Sequence, residues 1–247
     1  MPLSLWGQGY PIIKSYRADE YGGGIQIWDI NIDNKGMIYF SNNSGISVFN
    51  GTEWQHFTNQ KHSHIRCLVR TKDGKLYAGG SSDFGYFESN EKGKLKYTSL
   101  NNRLIDPGKK FSDIWSMASN DSGVYLAISG GILFYDYSTI RQIYNTKGVV
   151  YVFEVYNKVF ASIGLDGIYE IKGSQMERIS GLQPLKTERY IKLTPFEKQK
   201  IFIVGEETGV WIYDYNKRHE DSLHALTKIN TVVDKAIKAE LISHAFY

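Results

Sequence analysis

A glycine followed by an aliphatic or aromatic residue and a short apolar run recurs five times in this chain of 247 residues. The recurring glycines are Gly45, Gly85, Gly131, Gly167 and Gly209, which are spaced 40, 46, 36 and 42 residues apart. A period of about 40 to 50 residues is typical of a unit of four β-strands, one blade of a β-propeller. The spacing therefore predicts stacked repeats of short strands.

The first repeat contains four apolar runs separated by turn residues, the pattern expected of antiparallel strands. These runs are Ile25 to Ile32, Met37 to Ser41, Gly45 to Phe49 and Trp54 to Phe57. Asn50-Gly51, between the last two runs, predicts a tight hairpin turn. The same pattern predicts blades over residues 25–57, 63–100, 112–144, 149–179 and 189–226, with a fourth strand near 222–226 in the last of them.

Both ends of the chain suggest that the ring of blades is unfinished. Residues 232–247 predict an incomplete sixth blade, with a short helix over 236–241 as the alternative because those residues are good helix formers. Ile12 to Tyr16 predicts an isolated strand before the first blade. We therefore expect residues 1–247 to form a single all-β region, a β-propeller of about five four-stranded antiparallel blades plus the partial one, as a fragment of a larger propeller. Exposed blade edges invite pairing, so a homo-oligomer formed through them is expected.

Charge and hydropathy exclude several classes of partner. The net charge is +3 and no run of five like charges occurs, so direct nucleic-acid binding is not expected. No apolar run approaches about 18 residues, so no membrane span is expected. Residues 1–10 lack the pattern of a signal peptide, so the chain either stays in the cytoplasm or has lost a leader. The single cysteine, Cys67, sits in an apolar run and is interpreted as a buried thiol.

Motifs of catalysis, metal binding and cofactor binding are weak in this sequence. His62-Ser63-His64 offers two ligands on one strand face but no third, so we expect no metal, and no phosphate-binding glycine loop or nucleophile motif is found. We therefore expect no cofactor, no catalytic residues and no enzyme activity. A glycosidase or lyase stays open as the alternative, because a glycosidase needs only two well-placed carboxylates. Turn carboxylates are available at Asp33, Asp73, Asp83, Asp121 and Asp166.

One segment resembles the first blade of a known family. The residues "IQIWDINIDNKGMIYFSNNSGISVFNGTEWQHF" from Ile25 to Phe57, and the preceding "GYPIIKSYRADEYGGG", are similar to the two-component-regulator propeller proteins of Bacteroidetes. That family includes hybrid two-component sensors and triple-tyrosine, LuxR-type regulators. The resemblance covers nearly the whole chain, and it is strongest in residues 10–60 and weak after residue 180.

The resemblance implies a non-catalytic sensor region of a bacterial signalling and transcription regulator, in the periplasm. In the family, further blades, a three-tyrosine immunoglobulin-like domain, a membrane helix and a cytoplasmic output part normally follow. For the hybrid sensors the implied ligands are glycan breakdown products. A pure protein-interaction scaffold is a further alternative, which an apolar surface patch would favour.

A small-molecule or glycan ligand is expected on the face of the ring that gathers the loops between second and third strands and the loops leading into first strands. Aromatic, amide and carboxylate groups suit a sugar. Burial of the two tryptophans in the core is the alternative. Replacing Asp83 or Asp166 is expected to abolish binding without changing the melting temperature. The candidate ligand-binding residues are Trp28, Asn42, Asn43, Ser82, Asp83, Trp115, Asp166, Arg189 and Glu206.

Overall fold

The computed structural model describes residues 13–91, 94–105, 113–148, 150–186, 188, 191–217 and 224–231. Within these residues the chain forms five separate sheets, each of four antiparallel strands connected in sequence order. The first strand of every sheet lies at one edge, and the first strands of successive sheets pack against each other. The prediction of an all-β propeller of about five blades is confirmed.

The strands are numbered in chain order, four to a blade. Blades 1 and 2 comprise β1 Ile27–Ile32, β2 Ile38–Asn42, β3 Gly45–Phe49, β4 Trp54–Phe57, β5 Ile65–Arg70, β6 Leu76–Gly80, β7 Phe84–Ser89 and β8 Leu95–Ser99. Blade 3 comprises β9 Ile114–Asn120, β10 Gly123–Ile128, β11 Gly131–Tyr135 and β12 Ile140–Asn145. Blades 4 and 5 comprise β13 Val150–Val155, β14 Lys158–Ile163, β15 Gly167–Lys172, β16 Gln175–Arg178, β17 Ile191–Phe196, β18 Lys200–Gly205, β19 Gly209–Asp214 and β20 Leu226–Ile229.

Short helices connect or flank the blades. A four-residue helix, α1 (Ala18–Tyr21), precedes blade 1. Single 3₁₀ turns cover Asn101–Arg103, Gln183–Leu185, Glu197–Gln199 and Tyr215–Lys217. None of the helices among the described residues has the length and apolar character needed to cross a membrane.

Two expectations about the ends of the chain are corrected. The last strand of blade 5 lies at Leu226–Ile229, beyond the predicted 222–226, because Leu226 and Ile229 pair with Tyr213 and Val210 of β19. Residues 13–16 form no strand, and the Tyr16 ring packs instead on the rings of blade 1. The predicted partial blade over 232–247 lies outside the described residues.

The recurring glycine has a steric cause at the start of the third strand. Gly45 and Gly131 adopt φ angles of 141° and 152°, in the range that side chains disfavour. A Cβ atom on Gly45 would lie 2.2 Å from the carbonyl oxygen of Phe57, and one on Gly131 would lie 2.0 Å from that of Tyr144. In blades 1 and 3 the fourth strand thus passes too close for any side chain, which explains the glycine at these two positions.

Four apolar cores lie between the five blades. Blade 1 packs on blade 2 through the β2 and β3 residues Tyr39, Ile46 and Val48, which meet Leu68 and Leu76. Equivalent cores join blade 2 to blade 3, blade 3 to blade 4 and blade 4 to blade 5. Since both faces of a blade are apolar, the far face of blade 1 needs a cover of its own.

That cover comes partly from the segment before β1. Trp54 on β4 contacts the rings of Phe40 and Phe49 on the same face, at 5.2 and 4.7 Å between centroids. Tyr16 and Tyr21 add rings 5.2 and 5.9 Å from Trp54. Ile30 and Ile32 on β1, which are 50% and 62% exposed, lie outside this cluster. The aromatic cluster therefore protects the outer part of the face and leaves its inner part open.

We expect Trp54→Ala to lower the free energy of unfolding by about 3 kcal/mol, because a large ring is removed from a packed cluster. Trp54→Phe should cost much less, since the indole N–H of Trp54 has no hydrogen-bond partner among the described residues. Urea denaturation followed by circular dichroism measures both. Ile32→Ala serves as the exposed control. Equal losses for Trp54→Ala and Trp54→Phe would contradict this role for the ring.

Candidate functional site

β-Bulges in three first strands turn one residue of each toward the same mouth of the ring. In β1 the register shifts between Ile27 and Asp29, in β5 between Ile65 and Cys67, and in β9 opposite Ala127 and Ile128. The residues left unpaired are Trp28, Arg66 and Trp115. Bulges commonly re-aim a side chain next to a functional site.

Arg66 lies between the two tryptophans. Its guanidinium carbon is 5.5 Å from the centroid of the Trp28 ring and 4.6 Å from that of Trp115. The side chain is only 12% exposed, and Nη1 forms an ion pair with Asp113 at 3.0 Å. Cation–π contacts strengthen when water is excluded, so this stack links three successive blades at the mouth.

Each of the three side chains also bonds to the loop between the second and third strands of its own blade. Trp28 Nε1 donates to Asn43 Oδ1 at 2.7 Å, and Trp115 Nε1 donates to Ser129 Oγ at 3.0 Å. Arg66 Nη1 donates to Ser81 Oγ at 3.4 Å. These hydrogen bonds hold the two rings and the guanidinium at their edges, so the loops of the blades fix their orientation.

Tyr151 of β13 and Lys192 of β17 occupy the corresponding positions in blades 4 and 5, directly after the first aliphatic residue of each strand. The ammonium group of Lys192 lies 5.0 Å from the centroid of the Tyr151 ring and 5.6 Å from that of Phe153. We call Trp28, Arg66, Trp115, Tyr151 and Lys192 the mouth belt. It combines three aromatic side chains with two cationic ones around one opening.

A pocket opens between blades 3 and 4 in the mouth belt. It has a volume of ≈ 370 Å³ and is lined by Trp115 and Tyr151, the turn Ser129–Gly130 and the exposed Lys147. Trp115 is 43% exposed, although Arg66 lies over its ring and Ser129 accepts its indole N–H. A flat, accessible ring beside hydroxyl and ammonium donors can bind a ligand by stacking and hydrogen bonds.

Asp29 ties blade 1 to blade 2 beside the mouth belt. Its Oδ2 accepts the backbone N–H of Leu68 in β5 at 2.8 Å, and its Oδ1 accepts that of Ile30 at 2.8 Å. Burial raises the pKa of Asp29 to about 6, although these two bonds and the charge of Lys192 act in the opposite direction. Burial also lowers the pKa of Lys192. Asp29 and Lys192 thus interact electrostatically although burial disfavours the charged form of each.

Three of the candidate residues come together in the structure. Trp28, Asn43 and Trp115 belong to one bonded group, with Arg66 as the link. Trp115 is half exposed and Trp28 half buried, so burial in the core does not account for Trp115. Their ligand-binding role stays a prediction.

Two candidates are buried and fully used within their own blade. Asn42 Oδ1 accepts the backbone N–H groups of Gly24 and Ser44, and its amide donates to Ser47 Oγ. Asp83 is buried and accepts the hydroxyl groups of Tyr97 and Ser99, each at 2.9 Å. Replacing Asp83 would leave the buried hydroxyl of Tyr97 without its acceptor, so we now expect a loss of stability, in contrast to the unchanged melting temperature expected from the sequence.

The other described candidates lie in the loops between the second and third strands of their blades. Ser82 is exposed, and its carbonyl oxygen accepts Lys61 Nζ and Asn101 Nδ2. Asp166 accepts the hydroxyl of Tyr169 at 2.9 Å in the loop before β15, and Glu206 sits half buried in the turn before β19. Arg189 lies outside the described residues.

Arg66, Tyr151 and Lys192 were not predicted as site residues. A signal was present, since each follows the first aliphatic residue of a first strand, as Trp28 and Trp115 do. Aligning the five blades on that residue would have placed all five side chains at one mouth. Cys67, next to Arg66, is buried with its pKa raised by burial, which confirms its interpretation as a buried thiol.

Because folding raises the pKa of Asp29 from 3.8 to about 6, the folded chain binds a proton more tightly than the unfolded chain. The contribution of Asp29 to stability is therefore complete below about pH 4 and falls as the pH rises through 6, by up to about 3 kcal/mol. We expect the wild type to lose stability relative to Asp29→Asn as the pH rises from 4 to 7, seen in the difference between their free energies of unfolding. Denaturant titrations at several pH values measure it, and a flat or opposite trend would contradict the raised pKa.

Comparison with solved structures supports the fold. Virginiamycin B lyase from Staphylococcus aureus matches with a TM-score of 0.59 at 14% identity, covering 77% of this chain and 67% of the lyase. The extracellular domain of the putative one component system BT4673 from B. thetaiotaomicron matches with a TM-score of 0.57 at 16% identity, covering 78% of this chain and 27% of that domain. The WD40 propeller domain of Doa1 matches with a TM-score of 0.55 at 11% identity, covering 77% of this chain and 65% of that domain.

These similarities are at the level of the propeller fold. The chain spans about two thirds of the lyase and little more than a quarter of the Bacteroides domain. No family model matches the sequence, and no curated protein matches it either.

Proposed function

We propose that the chain is a non-catalytic ligand-binding propeller, the sensor region of an extracytoplasmic bacterial regulator, and that it binds a glycan breakdown product at the mouth belt. The observation that carries the proposal is the half-exposed ring of Trp115, held by Arg66 and Ser129 beside the pocket it shares with Tyr151. A ring fixed in this way loses little entropy when a ligand stacks on it.

The chemistry of the mouth suits a carbohydrate. The apolar face of a sugar ring stacks on an aromatic ring, while its hydroxyl groups need donors and acceptors at the rim. Ser129 and Lys147 line the same pocket as Trp115, and Arg66 and Lys192 place two positive charges along the belt. A sugar bearing a carboxylate or sulfate would gain from those charges, so acidic oligosaccharides belong in the first screen.

The similarity to the extracellular domain of a Bacteroides one component system supports the sensor role and an extracytoplasmic location. The segment from Ile25 to Phe57, which resembles the first blade of Bacteroidetes regulators, supports the same proposal. A periplasmic location follows from that resemblance and is part of the proposal, with the cytoplasm as the alternative.

A propeller lyase or glycosidase is the second candidate function. It is favoured by the similarity in fold to virginiamycin B lyase and by Asp29, whose pKa of about 6 suits a general base. The non-catalytic role is preferred because both oxygens of Asp29 already accept backbone N–H groups, that of Ile30 in its own strand and that of Leu68, which joins blade 1 to blade 2. If the wild type cleaves a bound oligosaccharide and Asp29→Asn does not, the enzyme function is favoured.

We propose self-association only through one surface, the inner part of the free face of blade 1. Ile30 and Ile32 are exposed there, next to the edge of the blade series. A homo-oligomer would bury these side chains, and a scaffold function would use the same surface.

An array of plant and animal oligosaccharides, including uronate and sulfated members, is the direct test. We expect at least one member to bind, and Trp115→Ala to weaken that binding by tenfold or more, measured by calorimetry. The reason is the loss of the stacking surface, and a factor of ten corresponds to about 1.4 kcal/mol.

Trp54→Phe is the matched control, since Trp54 lies on the far face of blade 1 and should leave the affinity unchanged. Absence of binding across the array, or equal weakening by Trp115→Ala and Trp54→Phe, would overturn the proposed site.

A further inference from the structure

We propose that the pocket between blades 3 and 4 selects a sugar with one negative charge, and that Lys147 is the residue that selects it. This inference rests on the proposed function, since it concerns the same pocket beside Trp115. Among the described residues that line the pocket, Lys147 is the only one with a charged side chain. A bound anion therefore meets one cation of the lining and no carboxylate.

The two cations of the mouth belt already have a negative partner. Arg66 Nη1 forms an ion pair with Asp113 at 3.0 Å, and the Arg66 side chain is only 12% exposed. Burial lowers the pKa of Lys192, and the charge of Asp29 acts against this effect. The positive charges of Arg66 and Lys192 are therefore at least partly balanced by the protein itself.

Lys147 differs from both, because it forms no ion pair with any carboxylate in the part of the chain that the structure describes. Its side chain is exposed, so the ammonium group can reach a ligand without leaving a protein partner. Lys147 belongs to the connection between β12 and β13. A Cβ atom placed on the next residue, Gly148, would lie 3.5 Å from the carbonyl oxygen of Gly164 in blade 4. The unbalanced charge thus stands on the blade 4 side of the pocket, while Trp115 belongs to blade 3.

The charge and the ring together define the ligand. The half-exposed ring of Trp115 suits the apolar face of a sugar ring, and Lys147 suits an anionic substituent on that sugar. A carboxylate and a sulfate ester each carry one negative charge and accept hydrogen bonds from an ammonium group. Lysine acts as a point charge, so its geometry does not distinguish the two anions. The pocket therefore predicts a uronate or a sugar monosulfate, and a second negative charge would meet no further cation of the described lining.

The experiment is nuclear magnetic resonance of the ¹⁵N-labelled chain titrated with sugars that differ only in the group at carbon 6. Each set contains a methyl glycoside, its uronate, its 6-sulfate and its 6-amino derivative, in the gluco, galacto and manno series. The backbone amide signals of Gly130 and Gly148, which line the pocket, report its occupation.

We expect the uronate or the 6-sulfate of at least one series to bind about fivefold more tightly than its neutral sugar, the upper end for an ion pair exposed to water. The 6-amino sugar should bind more weakly than the neutral one, because its charge has the same sign as that of Lys147. A difference between the uronate and the 6-sulfate identifies the anion.

Lys147→Gln is the decisive variant, because it removes the charge and keeps a polar side chain of similar shape. It should lower the affinity for the anionic sugar to that for the neutral sugar, which should not change. Lys61→Gln is the matched control, since it removes the same charge from a lysine outside the pocket whose Nζ donates to the carbonyl oxygen of Ser82. The preference should persist in this control. Lys147→Glu should turn the preference toward the 6-amino sugar.

Equal binding of the neutral and anionic sugars, or equal loss of preference in Lys147→Gln and Lys61→Gln, would overturn the selectivity. If both sugars then lose affinity in Trp115→Ala, the proposed glycan site stands without it. If the preference disappears in Lys147→Gln while Trp115→Ala leaves every affinity unchanged, the role of Lys147 stands and the stacking site fails. No binding in any of the three series would also overturn the selectivity, and the oligosaccharide array alone would then decide the proposed function.

Discussion

The structure depends on the side-by-side packing of the first strands of successive blades. Each first strand is an edge strand, so its outer backbone groups are left without a partner strand. Side chains from neighbouring blades take over part of this role, as when Asp29 accepts Leu68 N–H and Ser116 Oγ accepts Val152 N–H at 2.9 Å. The same packing brings Trp28, Arg66 and Trp115 into one stack. Blade assembly and the candidate site therefore share one set of contacts.

The fold could be predicted from the sequence because its signals are local. The recurring glycine of blades 1, 2 and 3 is required by a backbone oxygen about 2 Å from where a Cβ would be, so the sequence repeats it at the same place in these blades. Turn residues and alternating apolar positions then locate the strands. The last strand of blade 5 was misplaced because its pairing with Tyr213 and Val210 depends on a long connection without a repeat signal.

The site was only partly predictable because its assembly is not local. Trp28 could be placed on the first strand and Asn43 on the loop after the second, but the contact of Trp28 with Arg66 depends on bulges that shift the register in three strands. Asp83 shows the opposite error, since a polar loop residue in the sequence is a buried acceptor for Tyr97 and Ser99 in the fold. Composition cannot distinguish a carboxylate that supports a turn from one that meets a ligand.

The central claim is that the mouth belt is the ligand-binding surface of this propeller. A crystal structure of the chain with an oligosaccharide selected on the array tests it most directly. The account predicts a sugar ring stacked within about 4 Å of the Trp115 ring, in the pocket shared with Tyr151. Sugar bound only at the blade rims or on the open face of blade 1, with the belt empty, would contradict it.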